Sequence, residues 1–360
     1  MNLLHITATH LRPDGGIPIV LKNLVEEQNK FDNFKSRVLS ISSSVNKINS
    51  SYFDYIKVSQ FEKYIKNYKP NIVVLHSFYY LKYNLIVNLL IKYNIPYFIE
   101  PHGSFGKEAL KKSRIKKFLA NTFIFRKQIK KAFGFIFLNE EEEKDSYYRT
   151  SNDLIIPNGI YKLNMKKYII SKKLNNFYFI GRYDINHKGL DYLLDALEIL
   201  EKEKYILSIH FWGKGDKKSE NYIKNRIKNF EYINVEFNSS IYGKEKDMLL
   251  EQFGPMLLTS RYEGFPMTIL EAWYYGNPCL VTVGTNVYKE VIENKLGWGT
   301  NLNSLDIALS IKNAAKEYNS NRENYIYRCK NYVLKNYLWE NIAKNSILKF
   351  KNIDYLNKQK

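Results

Sequence analysis

The stretch SRYEGFPMTILEAWYYGNP, residues 260–278, sets Glu263 and Glu271 eight positions apart around Gly264, Phe265 and Pro266. It follows an apolar run, GPMLLTS (254–260), that reads as a strand, and it continues with apolar residues at helical spacing. Pro266 suits a first helical position and Gly276 a helix C-terminal cap, so a helix is expected over 266–275. The free amides at such a helix start, and the positive end of its dipole, favour an anion. Glu263, in the loop before the helix, either complements the dipole or accepts hydroxyls from a ligand. Glu271 lies in the second turn beside Leu270 and Ala272, where the dipole explanation fits poorly. A strand running into a loop and a helix that each carry an acid, in a chain of net charge +19, therefore points to a ligand carrying both phosphate and hydroxyls.

Outward from this unit the same alternation recurs. In the C-terminal half, NFYFIGR (176–182), YILSIHFWGKGD (205–216), INVEFNSS (233–240) and PCLVTVG (278–284) read as further strands. GLDYLLDALEILEKE (189–203) reads as an amphipathic helix. In the N-terminal half, LLHITA (3–8), SRVLSIS (36–42), NIVVLHS (71–77), IPYFIEPHG (95–103) and DLIIPNGI (153–160) read as strands, with a helix over 83–93. Alternation of this kind predicts parallel sheets covered by helices on both faces. The fold class is α/β, with two Rossmann-like doubly wound domains. A first domain is expected over 1–165, a lysine-rich linker over 161–176 and a second domain over 175–335. A last helix within 336–360 is expected to cross back to the first domain.

Composition bounds the rest. A chain of 360 residues is too long for one ordinary core. Its content is globular, with 45% hydrophobic and 25% charged residues. Cys279 and Cys329 form no metal-ligand spacing, so a disulfide framework and a structural zinc are not expected, and a reducing cytoplasm is the simplest compartment. No stretch reaches the roughly 18 uninterrupted apolar residues of a membrane helix. The excess positive charge is uneven: residues 1–170 hold 27 Lys and Arg against 14 Asp and Glu. Ten of those cations fall in KEALKKSRIKKFLANTFIFRKQIKK (107–131), interleaved with Leu, Ile and Phe. Such a segment is either a solvated basic surface or one that lies on an anionic membrane, peripheral to its inner face.

In parallel α/β sheets, ligands bind beyond the carboxyl ends of the strands. Gly15 and Gly16 open the first helix; they form either a plain turn or a close approach to a phosphate or sugar, and they do not make the GxGxxG of a nicotinamide dinucleotide site. Arg182 and Lys188, in GRYDINHKG, follow a strand and precede a helix; they are surface cations or a grip on a diphosphate. His102, in EPHGS, is a loop histidine or a donor to a sugar or phosphate, and His76 reads as structural.

Taken together, GRYDINHKG, FWGKGD, LLTSRYEGFPMTILEAWYYGNP, IIPNGI, EPHG and the early DGG resemble the retaining glycosyltransferase family 4, over about residues 1–340. The segment bearing the two glutamates is the most specific part. The resemblance implies a GT-B fold and a reaction that needs no metal or other cofactor, in keeping with the lack of a DxD motif. It implies Arg182 and Lys188 on the donor diphosphate, Glu271 on the nucleotide ribose, and Glu263 with the 264–266 backbone (Gly264, Phe265, Pro266) at the donor sugar and its phosphate. It further implies His102 near the reacting sugar, Gly15 and Gly16 facing the donor phosphate and acceptor, and a structural turn at Asn158 and Gly159. The expected partners are a nucleotide-sugar donor and a saccharide or lipid-linked saccharide acceptor. The expected setting is bacterial surface polysaccharide, capsule or lipopolysaccharide. Two other readings stand beside it. A nucleotide-sugar epimerase of the same fold needs an acid and base pair that the sequence does not supply. A nucleic-acid-binding protein would account for the 107–131 segment and leave the two glutamates unexplained.

Overall fold

The alternating apolar runs form two parallel sheets in the computed structural model, which describes residues 1–8, 16–41, 48, 50–111, 114–162 and 175–358. The described chain makes two compact units, Met1–Tyr161 together with Tyr337–Lys360, and Lys162–Asn336. Gly15 and most of the expected linker lie outside the described residues.

The first unit holds strands β1 (Asn2–Thr7), β2 (Lys35–Ser40), β3 (Phe53–Tyr55), β4 (Ile72–His76), β5 (Tyr97–Glu100), β6 (Gly134–Phe137) and β7 (Leu154–Ile155). Their order is β3-β2-β1-β4-β5-β6-β7, with every pairing parallel. The order reverses between β1 and β4. Leu3, Leu4, Ile6, Val73, Val74, Leu75, Phe98 and Ile99 are fully buried, as strands covered on both faces require. Helix Gly16–Gln28 turns Leu21, Leu24 and Val25 inward and packs against the terminal helix Trp339–Lys358. Buried Gln28 Nε2 donates to Ser346 Oγ at 2.9 Å across that contact. The chain re-enters this unit where Ile160 N donates to Tyr337 O (2.7 Å) and Trp339 N to Ile160 O (3.1 Å). Gly159 is required there, because a Cβ would stand 2.7 Å from the Trp339 ring.

The second unit holds β8 (Asn176–Arg182), β9 (Leu207–Lys214), β10 (Ile233–Asn238), β11 (Met256–Leu258), β12 (Cys279–Thr282) and β13 (Gly297–Thr300). Their order is β10-β9-β8-β11-β12-β13, again parallel, and it reverses between β8 and β11. Helix Leu190–Lys202 buries Leu190, Leu193, Leu194, Leu197 and Leu200, the helical spacing read from the sequence. Each such leucine contributes about 1.5–3 kcal/mol by leaving water. This face packs on helix Ser304–Asn336, which kinks at Asn321 (φ −128°, ψ 24°) and which the apolar pattern did not reveal.

Both units are α/β and doubly wound, as the alternation predicts. Most strand limits shift by no more than three residues; the run read as 254–260 pairs only over Met256–Leu258, and the run read as 153–160 only over Leu154–Ile155.

Candidate functional site

The reversal of strand order decides where side chains converge. Arg182 ends β8, and Thr259 and Ser260 follow β11, so the loops after the two strands that flank the reversal lie side by side. Gly189 allows the approach. It starts helix Leu190–Lys202 with φ +60°, and a Cβ on it would sit 2.0 Å from Thr259 O. Thr259 Oγ1 donates to Lys188 O at 3.1 Å, and Arg261 N donates to His187 O at 2.9 Å. Arg261 binds Asp191 with two nitrogens, at 2.8 and 2.6 Å, locking the loops together.

That bracing brings four charged or titratable groups together. Lys188 Nζ lies 2.5 Å from Glu263 Oε1, with side chains 11% and 10% exposed. Ser260 Oγ donates to the same oxygen at 2.6 Å. Arg182 Nη2 stands 3.4 Å from His187 Nδ1, and the His187 ring packs on Tyr262 with centroids 4.3 Å apart. Burial lowers the His187 pKa; the Glu263 carboxylate opposes the shift, and the Lys188 and Arg182 cations add to it. A neutral His187 can therefore accept from Arg182 while adding no charge to a loop that already holds two cations.

Helix Met267–Tyr274 follows Glu263, with Pro266 as its N-cap residue (φ −73°, ψ 123°) and not its first helical residue. Gly276 does close the helix: at φ +76° it donates to Trp273 O (2.9 Å), and Asn277 N donates to Ala272 O (2.8 Å). Phe265 is buried and anchors the turn. Glu271 does not join the Lys188–Glu263 pair. Its Oε2 is 2.5 Å from Nζ of Lys246, a partner on helix Gly243–Gln252 that the sequence did not disclose. Behind it, Asn277 Nδ2 donates to Tyr178 Oη and Leu250 O, holding the helix end to the sheet.

His102 and Gly16 belong to the first unit. Gly16 opens the first helix with nothing within 4 Å of an added Cβ. His102 follows β5 at φ +49° and joins a buried cluster at the carboxyl ends of β1, β4 and β5. His5 Nδ1 is 2.8 Å from His76 Nε2, and His76 Nδ1 is 3.2 Å from His102 Nε2. Glu100 Oε2 is 3.3 Å from His76 Nδ1, and Glu100 Oε1 is 3.5 Å from His102 Nδ1. Burial lowers the pKa of all three histidines and raises that of Glu100. Glu142 accepts from Gly103 N and Leu138 N, both at 2.7 Å, and fixes the turn after His102. The EPHG motif pointed to His102; His5 and His76, inside apolar strands, carried no comparable signal.

The 107–131 segment is a series of short helices, Lys107–Lys111, Arg114–Leu119 and Arg126–Lys131, with a π-helical turn over Ala120–Ile124. Ile115, Phe118, Leu119, Phe123 and Ile124 are exposed, by 75%, 66%, 48%, 77% and 46%, beside exposed Lys116, Arg126, Lys127 and Lys130. Among the described residues, no helix is long and apolar enough to cross a membrane.

Two parallel doubly wound units, with cations gathered where strand order reverses, define the GT-B class of architecture. The chain matches the family model of the glycosyl transferases group 1 over residues 161–331. It is 23% identical over 363 residues, 89% of this chain and 95% of the other, to an uncharacterized 41.2 kDa protein in the cps region of Klebsiella pneumoniae. It is 31% identical over 105 residues, 29% of each chain, to the lipopolysaccharide 1,6-galactosyltransferase of Escherichia coli K12. Its architecture is similar to that of the Anabaena protein HepE in complex with UDP-glucose, with TM-score 0.70, 14% identity, and coverage of 98% of this chain and 100% of that one.

Proposed function

We propose that this chain is a glycosyltransferase that moves a hexosyl group from a nucleoside-diphosphate sugar to a hydroxyl of a saccharide or lipid-linked saccharide, with retention of configuration, in the synthesis of bacterial surface polysaccharide. The observation that carries the reading is the gathering of Arg182, Lys188 and Glu263 beyond β8 and β11, where strand order reverses. UDP-glucose in the HepE complex supports a nucleotide-sugar donor, and the Escherichia coli relative supports a lipopolysaccharide-type acceptor.

As the bond from the anomeric carbon to the diphosphate oxygen breaks, negative charge builds on the leaving group. Arg182, Lys188 and the amides at the start of helix Met267–Tyr274 offset it in a partly dry site. Lys188 is held at rest by Glu263, so donor binding exchanges that carboxylate for phosphate and frees Glu263 to accept a sugar hydroxyl. Glu271 exchanges Lys246 for the two hydroxyls of the ribose. We assign His102 to the reacting sugar, and Gly15 and Gly16 to the phosphate and acceptor side. The acceptor hydroxyl attacks on the face the diphosphate leaves, and a donor phosphate oxygen takes its proton, so no protein nucleophile is needed.

The exposed apolar side chains among the cations of 107–131 support docking of the enzyme on an anionic inner membrane face. Lys117 is tied to Ala109 O and Lys127 to Asn88 Oδ1, both at 2.6 Å, leaving Lys116, Arg126 and Lys130 as exposed cations of this reading. The experiment for the function is a thermal-shift screen of nucleotide sugars, followed by product analysis by NMR with the selected donor. One donor should raise the melting temperature and yield a product, or free sugar, of unchanged anomeric configuration. Inversion would remove the retaining mechanism, and a screen without any stabilising donor would remove the reading as a whole.

A further inference from the structure

We propose that His76, Glu100 and His102 form a binding site for a zinc-like divalent cation, independent of donor chemistry. Their ligand atoms all lie within 4.8 Å of one another. His76 Nδ1 stands 3.2 Å from His102 Nε2 and 3.3 Å from Glu100 Oε2. Zinc bound at about 2.0–2.1 Å in tetrahedral geometry sets its ligands about 3.3 Å apart, so these two separations match the edges of such a site. The donors are two imidazole nitrogens and one carboxylate oxygen, a set that suits zinc and leaves a fourth position open.

Proton counting leaves a place that a cation can take. Neutral His76 carries one N–H. If Nε2–H donates to His5 Nδ1 at 2.8 Å, then His76 Nδ1 presents a bare lone pair. That lone pair stands 3.3 Å from Glu100 Oε2 and 3.2 Å from His102 Nε2, so a shared proton or a cation must join these groups. Buried acceptors in such contact cost free energy unless a cation or proton joins them. A divalent ion accepts both lone pairs and that of His102 together, in place of a shared proton.

The surroundings are those of a built metal site. His5 Nδ1 meets the ring nitrogen of His76 that faces away from the site at 2.8 Å, and in the tautomer in which His76 Nε2–H donates, this contact fixes ring orientation as in metal-bound histidines. Gln28 lies against His5 from helix Gly16–Gln28. Glu142 clamps the backbone on either side of the turn through Gly103 N and Leu138 N. His76 pairs with Glu100 in the β4–β5 register, so two ligands stand on rigid strands and only His102 is on a loop. His102 is 15% exposed at the side chain, which gives the ion a route in. Ligation would hold His102 inward. If His102 acts on the reacting sugar, zinc would then inhibit transfer; that consequence rests on the proposed function, and the site itself does not.

The test is titration of the metal-stripped full chain with Co²⁺, followed by displacement with Zn²⁺. The expected result is one equivalent of Co²⁺ with the intense visible bands of a tetrahedral ion, bleached by one equivalent of Zn²⁺. Glu100→Gln and His76→Gln should abolish the bands, and His5→Asn should weaken affinity by about 10- to 100-fold. His210→Gln, in the other unit, should leave them unchanged. X-ray absorption of the zinc-loaded wild-type chain should show two imidazoles and a carboxylate oxygen, a readout that needs no variant to fold. Failure to bind one equivalent, a pale octahedral spectrum, or bands that survive Glu100→Gln would overturn the proposal.

Discussion

The Lys188–Glu263 pair allows a prediction whose size follows from its geometry. At 2.5 Å the two charges attract by about 7 kcal/mol if the effective dielectric constant is about 20, before desolvation is subtracted. Both side chains are about nine-tenths buried, so removing one partner strands the other; such losses run to about 3–5 kcal/mol. The two single losses are not equal. Without Lys188, Glu263 keeps the Ser260 hydroxyl at 2.6 Å, whereas without Glu263, Lys188 loses the carboxylate that holds it. Glu263→Gln should therefore cost about 3–4 kcal/mol and Lys188→Met about 2 kcal/mol. The double variant should cost at least about 2 kcal/mol less than the sum, because it strands no charge. Urea unfolding followed by tryptophan fluorescence suits the measurement, since Trp212, Trp273 and Trp298 all lie in the unit that holds the pair. Single losses that add to within about 0.5 kcal/mol would show that the two side chains do not interact, and the charge exchange proposed for donor binding would lose its basis.

Further outcomes follow from the same geometry. Arg182→Ala should lower turnover about 100-fold with little change in folding, the loss typical of one charge-stabilising group; near-normal turnover removes it from the site. Glu271→Ala should weaken donor binding about 10- to 100-fold by calorimetry, since it removes the acceptor proposed for two ribose hydroxyls; unchanged affinity ends that assignment. Lys330 is 8% exposed, and burial lowers its pKa from 10.5 to about 8, with Glu251 opposing. Between pH 8 and 10 the unfolded chain holds this proton and the folded chain does not, so stability relative to Lys330→Met should rise by up to about 2–3 kcal/mol across that window; parallel profiles would refute the shift. Lys116→Glu with Phe118→Ser should abolish flotation on anionic liposomes while leaving flotation on neutral ones at its basal level. Equal flotation with both compositions would end the membrane reading.

How much of this was legible in the sequence depended on whether the signal was local. Strand ends are local: apolar runs stop and polar residues begin, so Arg182, Lys188 and Glu263 stood out before any fold was known. The Gly276 cap and the helix before it were legible for the same reason. Partners brought in from distant segments were not. Lys246 is one of two lysines on helix Gly243–Gln252, and only folding sets it against Glu271. His5 and His76 sit in strands whose apolar pattern reads as core, which hid their contact with His102. Helix Ser304–Asn336 was missed because it is rich in Asn and Tyr, poor helix formers, and its apolar face is interrupted at the Asn321 kink. It owes its existence to packing against Leu190–Lys202, a contact that no local pattern announces.

Calorimetric titration of the nucleotide chosen by the donor screen, as its diphosphate and as its monophosphate, reads the grip on the leaving group without requiring the acceptor. Wild-type protein should bind the diphosphate at least about 10-fold more tightly, and Arg182→Ala combined with Lys188→Ala should erase that preference. Equal affinity of the wild-type chain for the two nucleotides would mean that these cations hold something other than a diphosphate.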